Sequence, residues 1–399
     1  MRESGSLRSW PADEMDVPHH PPIVWAGCLH AAREALDDAA AVHALVRAGM
    51  RTRAVDPAQS LWVIDLAPGD GERAWRVMGE LRRRALRGPR VRYLAIAHSV
   101  AQCDALCAHP QLQELIADGD LRIGRAPEIC PPNGLCNPVV VLAHDALAAC
   151  GQAVLSYRRG ELTQAQVSDD GGLVWRAERR DGVFRLASAY RNHGDEMAFT
   201  LPHGAMDAMA TLLRASGGRM LLRSCGVGTI DHDALQRAGT AAASLPKLAN
   251  YDAMMRWHRA NDGVVHQYRT RHDGRVMHVA LHEAGGGDLC GCLPEVLALP
   301  HPDDHVDLLD ALSSLSDPPP SQCLALLRAH DGDPRAVAAL RVPLSRAVEA
   351  TSSDGVAAVA DALAWCERQR YVAMNGSTTH LCDSTPAVDR PLMAGGGDA

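Results

Sequence analysis

The hydrophobic pattern of this chain changes period twice. From Ile23 to Met50 apolar residues recur at helical spacing in an Ala-rich stretch, so a helix is expected ahead of the first strand. Leu61 to Leu66 is a short apolar run broken by one acid, Asp65, and reads as a buried strand. Glu72 to about Arg87 returns to helical period, and Gly88-Pro89 ends it. Val91 to Ala97, Leu121 to Ile123 and Val139 to Leu142 read as further strands, with a helix over Val100 to Ala117 interrupted at Pro110. Pro131 to Gly134 marks a loop. Strands alternating with helices predict a doubly wound, mostly parallel sheet.

From Ala153 to Ala189 the period becomes two, with Arg-Gly, Gly-Gly and Asp-Gly turns, which predicts antiparallel hairpins inserted in the sheet domain. Gly204 to Ala215 reads as a helix and Gly218 to Cys225 as another buried strand. Val264 to Tyr268 and Val276 to His282 form a late hairpin around His272-Asp273-Gly274. Beyond Pro300 four helices are expected: Asp303 to Leu315, Gln322 to Ala329, Pro334 to Ala350 and Val356 to Arg370. The expected organisation is a disordered leader over 1–22, an α/β domain over 23–300 with its insertion at about 153–200, a helical tail over 301–372 and a flexible end over 373–399.

Composition narrows the function. With 47% hydrophobic residues in 399, the chain can bury a large core. Aromatics are 4%, with two Phe, too few for a base-stacking platform. A net charge of −8 argues against general nucleic-acid or membrane-surface binding. Lys247 is the only lysine, a skew that points to a GC-rich genome rather than to chemistry. No apolar run reaches the roughly 18 residues of a membrane span, and Met1 to Pro22 lacks a signal-peptide core, so the cytoplasm is expected. The twelve Cys are irregularly spaced, as for reduced thiols.

The candidate chemistry begins at Asp65-Leu-Ala67-Pro-Gly69-Asp70-Gly71, where a strand delivers an acid and then a G-x-G turn opening a helix. That is the usual layout of S-adenosylmethionine methyltransferases, although Ala67 stands where the full pattern has a first glycine. It is not the dinucleotide fingerprint G-x-G-x-x-G. A plain strand–turn–helix without ligand accommodates the same residues. No G-x-S-x-G and no P-loop is present. His301-Pro-Asp303-Asp304-His305 has metal-like residues, but the family resemblance given below aligns it with a helix start and implies Asp303 as N-cap. Cys290-Gly-Cys292 lacks a second ligand pair for zinc. Cys103, Cys107 and Cys225 read as core thiols, so no metal site is expected.

Four further stretches carry a resemblance: Tyr93-Leu-Ala-Ile-Ala97-His98-Ser99 continuing to His109-Pro110, Asn137-Pro138 to His144 with Gly160-Glu-Leu162, Leu221 to Gly228, and Asn250-Tyr251-Asp252-Ala253. In this order they resemble bacterial S-adenosylmethionine-dependent methyltransferase-like proteins with tetratricopeptide repeats downstream, and more remotely MidA-type protein arginine methyltransferases. The resemblance implies a class I methyltransferase-like α/β fold with inserted hairpins and a helical tail. It places Asp65 at the methionine ammonium, Ala67, Gly69, Asp70 and Gly71 under the sugar and methionine, His98 at the ribose and Glu128 near the adenine. It places His144 as proton acceptor, with Asp145 orienting it or holding a cation; the plainer reading, which the residues favour, makes His144 a partly buried imidazole bonded to backbone and Asp145 the cap of the next helix.

The departures are as informative. The acid that ends the family's second strand is Ala97, its Asn-Tyr after the fourth strand is His144-Asp145, its Asp-Lys pair is Gly226-Val227, and the His of its Asn-Tyr-His segment is Asp252. Losing the ribose carboxylate alone costs roughly 1.5–3 kcal/mol. Two functions stay open: methyl transfer to a protein, peptide or small-molecule acceptor, or a catalytically degenerate fold serving as a protein-binding scaffold or regulatory partner.

Overall fold

In the computed structural model, residues 29–84, 88–125, 131, 135–158, 160–167, 173–178, 186–193, 198–230, 249–270, 275–284, 289–297, 320–329 and 340–349 are described. Helix α1 (Leu29–Thr52) leads to β1 (Leu61–Asp65), α2 (Glu72–Arg83) and β2 (Val91–Ala97). Then come α3 (Val100–Ala108), a 3-10 turn at Pro110–Leu112, α4 (Gln113–Ala117), β3 (Leu121–Arg125), β4 (Val139–Leu142) and α5 (Ala146–Ala149). Strands β5 (Ala153–Arg158), β6 (Glu161–Val167) and β7 (Leu173–Ala177) precede a 3-10 segment, Ser188–His193, and β8 (Ala198–Leu201). Helix α6 (His203–Ala215) is followed by β9 (Met220–Gly226), the short partners β10 (Gly228–Thr229) and β11 (Ala249–Asn250), and α7 (Tyr251–Ala260). The hairpin β12 (Val264–Arg269) and β13 (Val276–His282) precedes α8 (Leu293–Leu297), α9 (Pro320–Ala329) and α10 (Arg341–Glu349).

The main sheet has seven strands in the order β12-β13-β9-β4-β1-β2-β3. Five are parallel, and β13 runs antiparallel between β9 and β12. Winding proceeds from β1 outward through β2 and β3, then restarts at β4 on the other side of β1. The switch point therefore lies at the carboxyl ends of β1 and β4, where ligands of such sheets bind. This strand order is that of the class I methyltransferase fold. A second, antiparallel sheet, β7-β6-β5-β8, is the expected insertion.

Both faces of the main sheet are covered, which is why its strands are apolar without alternation. Trp62, Ile64, Val139, Val141, Met220 and Leu222 face one core, with α6, α7 and the inserted sheet. Leu61, Val63, Val140, Leu142 and Leu221 face the other, with α1, α2 and α4. The predicted strand at Leu61–Leu66 stops one residue early because the Asp65 carboxylate takes the Ala67 amide at 3.0 Å and turns the chain. The third strand runs on to Arg125, paired with Ala97 at the end of β2.

The break predicted near Pro110 is the 3-10 turn between α3 and α4. The hairpin turn His272–Gly274, the leader 1–22, the end 373–399 and the tail helices Asp303–Leu315 and Val356–Arg370 lie outside the described residues. No described helix is long and apolar enough to cross a membrane.

Candidate functional site

Asp65 ends β1 at the switch point and is fully buried. One oxygen accepts from the Ala67 amide at 3.0 Å and from the Arg73 guanidinium at 3.5 Å; the other accepts from the Tyr93 hydroxyl at 2.7 Å. Arg73 comes from the first turn of α2 and also donates to the Ala67 carbonyl at 3.3 Å. Burial works against the Arg73 charge, but Asp65, Asp38 and Glu34 outweigh it and push its pKa up. Burial, aided by the Asp65 charge, raises the Tyr93 phenol well above its usual value, so it stays a donor. A protein cation thus sits on the carboxylate.

The two glycines of the turn differ. Gly71 caps α2 at φ 94, and a Cβ there would lie 2.7 Å from Leu112 and 2.9 Å from Leu106. Left-handed backbone and core packing both require glycine at that position. Gly69, at φ 58, has nothing within 4 Å of a built Cβ, so this part of the turn opens outward. Asp70 is exposed and accepts the Glu72 amide at 3.1 Å. Gln102 of α3 joins the turn to the end of β2: it donates to the Gly69 carbonyl at 2.8 Å and accepts from the His98 amide at 2.7 Å. Burial lowers the His98 pKa, opposed by Asp65 and by a hydrogen bond from the ring to the backbone of Leu66. Glu128 lies outside the described residues.

On the far side of the switch point His144 and Asp145 diverge. The His144 side chain is fully buried, with Nε2 at 3.1 and 3.0 Å from the two Asp38 oxygens. Asp38 also accepts from Arg223 of β9 at 2.7 Å. Burial alone would raise the Asp38 pKa, but His144 and Arg223 hold it below the usual value. Asp145 is left-handed at φ 56 and its side chain is 61% exposed, bonded to Arg275 at 2.7 Å. Arg275 also reaches Glu34 at 3.3 Å. At Gly226 a Cβ would meet the Tyr251 hydroxyl at 2.8 Å and Asp145 at 3.1 Å, so a longer residue there has no room.

Comparison with known proteins gives fold-level likeness. No family model matches the chain, and no curated protein does. Among solved structures, a likely methyl transferase from Burkholderia thailandensis, bound to S-adenosyl-homocysteine, overlaps at a TM-score of 0.38 and 12% identity. The overlap covers 59% of this chain and 63% of that one, so the match spans under two thirds of that protein's length. A native structure from the same superfamily and organism gives 0.36 at 12% identity, covering 77% and 76%. A protein from Listeria monocytogenes named as a class I S-adenosylmethionine-dependent methyltransferase gives 0.30 at 9%, covering 61% and 59%. Overlaps this loose carry no argument about activity. The fold assignment rests on the strand order.

S-adenosylmethionine needs an acceptor for its ammonium and a polar group for its ribose hydroxyls. The backbone turn at Gly69 suits such a ligand. The side chains do not: Asp65 is paired with Arg73 and Tyr93, and Ala97 at the end of β2 carries no polar group.

Six residues that order this crevice were not singled out from the sequence: Glu34, Asp38, Arg73, Tyr93, Arg223 and Arg275. The available signals were charge inside apolar segments. Arg223 is a charge in a wholly buried strand, and Glu34, Asp37 and Asp38 stud an Ala-rich helix. A charge on a buried element requires a buried partner.

Proposed function

We propose that this chain keeps the class I methyltransferase fold without methyl transfer and acts as a scaffold or regulatory partner of another protein. The observation that carries this reading is the Asp65 carboxylate, fully buried and already paired with Arg73 and Tyr93. Freeing it would expose a buried ion pair, at a cost of about 3–5 kcal/mol. That loss would cancel much of the binding energy of a micromolar ligand, about 8 kcal/mol. A short polar residue at Ala97 would not restore the missing clamp, because two ribose hydroxyls call for a carboxylate.

A second reading, methyl transfer to a protein, peptide or small-molecule acceptor, is favoured by Gly69, whose left-handed, open position lies at the switch point. The deciding experiment is calorimetric titration of the full chain with S-adenosylmethionine and its demethylated product. The scaffold reading expects no heat of binding at millimolar ligand. Micromolar binding that Gly69→Arg abolishes would replace it with the enzyme reading.

A further inference from the structure

We propose that Glu34, His144 and Cys225 form a site for one borderline-soft divalent cation, zinc foremost, where α1 crosses the carboxyl ends of β4 and β9. All three residues are buried, and a carboxylate oxygen, a ring nitrogen and Sγ lie within 4.8 Å of one another. Among the described residues no other trio of His, Cys, Asp or Glu comes this close. A tetrahedral zinc ion with bonds of about 2.0–2.3 Å spaces its donors about 3.3–3.8 Å apart, so closure asks for small side-chain shifts only.

A second observation points the same way. The carboxylate of Asp38 can only accept, so His144 Nε2 carries the proton. In the neutral ring Nδ1 is then the bare nitrogen, and it is buried without a hydrogen-bond partner. An unpartnered buried lone pair is costly, and a cation would satisfy it. The supporting groups of a metal centre are also in place. A carboxylate on the far nitrogen of a ligand histidine is the usual arrangement, and ligand carboxylates are themselves hydrogen-bonded, as Glu34 is to Arg275 at 3.3 Å. Among the described residues, the ion pairs around the site join Glu34, Asp38, Asp65 and Asp145 to Arg73, Arg223 and Arg275.

Binding would form bonds from the cation to oxygen, nitrogen and sulfur. The thiol proton leaves to solvent, and water takes the fourth position. Mixed N, S and O donors favour zinc, cobalt or nickel over magnesium or calcium. The site uses none of the groups that an adenosyl ligand would need at Asp65 or Gly69, so it stands or falls apart from the question of methyl transfer.

The test is titration of the full, chelator-stripped chain with cobalt, read by the near-ultraviolet thiolate-to-cobalt band, followed by competition with zinc. The expected result is a saturable band at one ion per chain, displaced by zinc and absent in Cys225→Ser. Glu34→Gln should weaken binding by at least about tenfold, and it keeps the test valid if the serine variant does not fold. No band in the wild-type chain, an unchanged band in Cys225→Ser, or unchanged affinity in Glu34→Gln would overturn the site.

Discussion

Two buried polar regions of this molecule solve the same problem in opposite ways. Under α1, Asp38 is held by the opposite charge of Arg223 and by the His144 ring that bonds to it. Between α7 and β13, three histidines are held by losing charge. Asn261 O accepts from His282 Nδ1 at 3.0 Å, so His282 Nε2 accepts from His258 Nδ1 at 2.7 Å. The His258 and His278 rings lie 5.3 Å apart, each with an unpartnered Nε2. Burial, with the neighbouring His278 and His282, pushes His258 well below its usual pKa, and burial alone takes His278 down to about 3. The first region depends on partners being present, the second on protons being absent.

The sharpest way to break the comparison is to remove one partner from the charged region. Arg223→Met leaves Asp38 buried with less compensation and should destabilise the fold by about 3–5 kcal/mol in urea titration. Replacing both, Asp38→Leu with Arg223→Met, should cost clearly less than the single change. Equal losses would mean that pairing is not what holds this region.

Acid separates the regions next. For His258 and His278 the folded pKa lies below the unfolded value, so the unfolded chain takes up protons first. Their contribution is complete above about pH 6.5 and declines as pH falls, by about 1.4 kcal/mol per pH unit for each histidine held neutral. Asp38 is also lowered, so its contribution is lost only below about pH 4. Denaturation midpoints from pH 7 down to 4 should fall steadily in the wild-type chain and less in His258→Phe. A flat profile would show that these imidazoles already carry charge in the folded state.

Smaller effects test the turn that follows β1. Gly71→Ala brings a methyl against Leu106 and Leu112 in left-handed backbone, and should cost about 2 kcal/mol. Gln102→Ala removes two hydrogen bonds at the partly exposed end of the turn and should cost about 1 kcal/mol. If the order of these two reversed, the glycine's importance would lie outside packing.

Much of the sheet was legible because both of its faces are covered, and Val139 to Leu142 has no polar residue to obscure it. Asp65 was legible as a strand-ending acid. Its partners were not: Arg73 reads as an exposed helix position, and Tyr93 as one more apolar residue of strand two. Nor does local spacing reveal that Glu34 and Asp38, before the first strand, reach residues following the fourth and fifth parallel strands. Contacts across hundreds of residues leave no trace in a periodicity window.

The order of synthesis gives that last arrangement a consequence. Helix α1 leaves the ribosome before the other described elements, yet Glu34 meets Arg275 across 241 residues. Arg73 and Arg223 are made earlier, but until the hairpin of β12 and β13 has been translated Glu34 lacks Arg275, so the helix sits on its apolar seat with its acids incompletely paired. This early helix is therefore fully docked only late, and a nascent chain cut before residue 275 should leave it more open to proteolysis than the whole chain does.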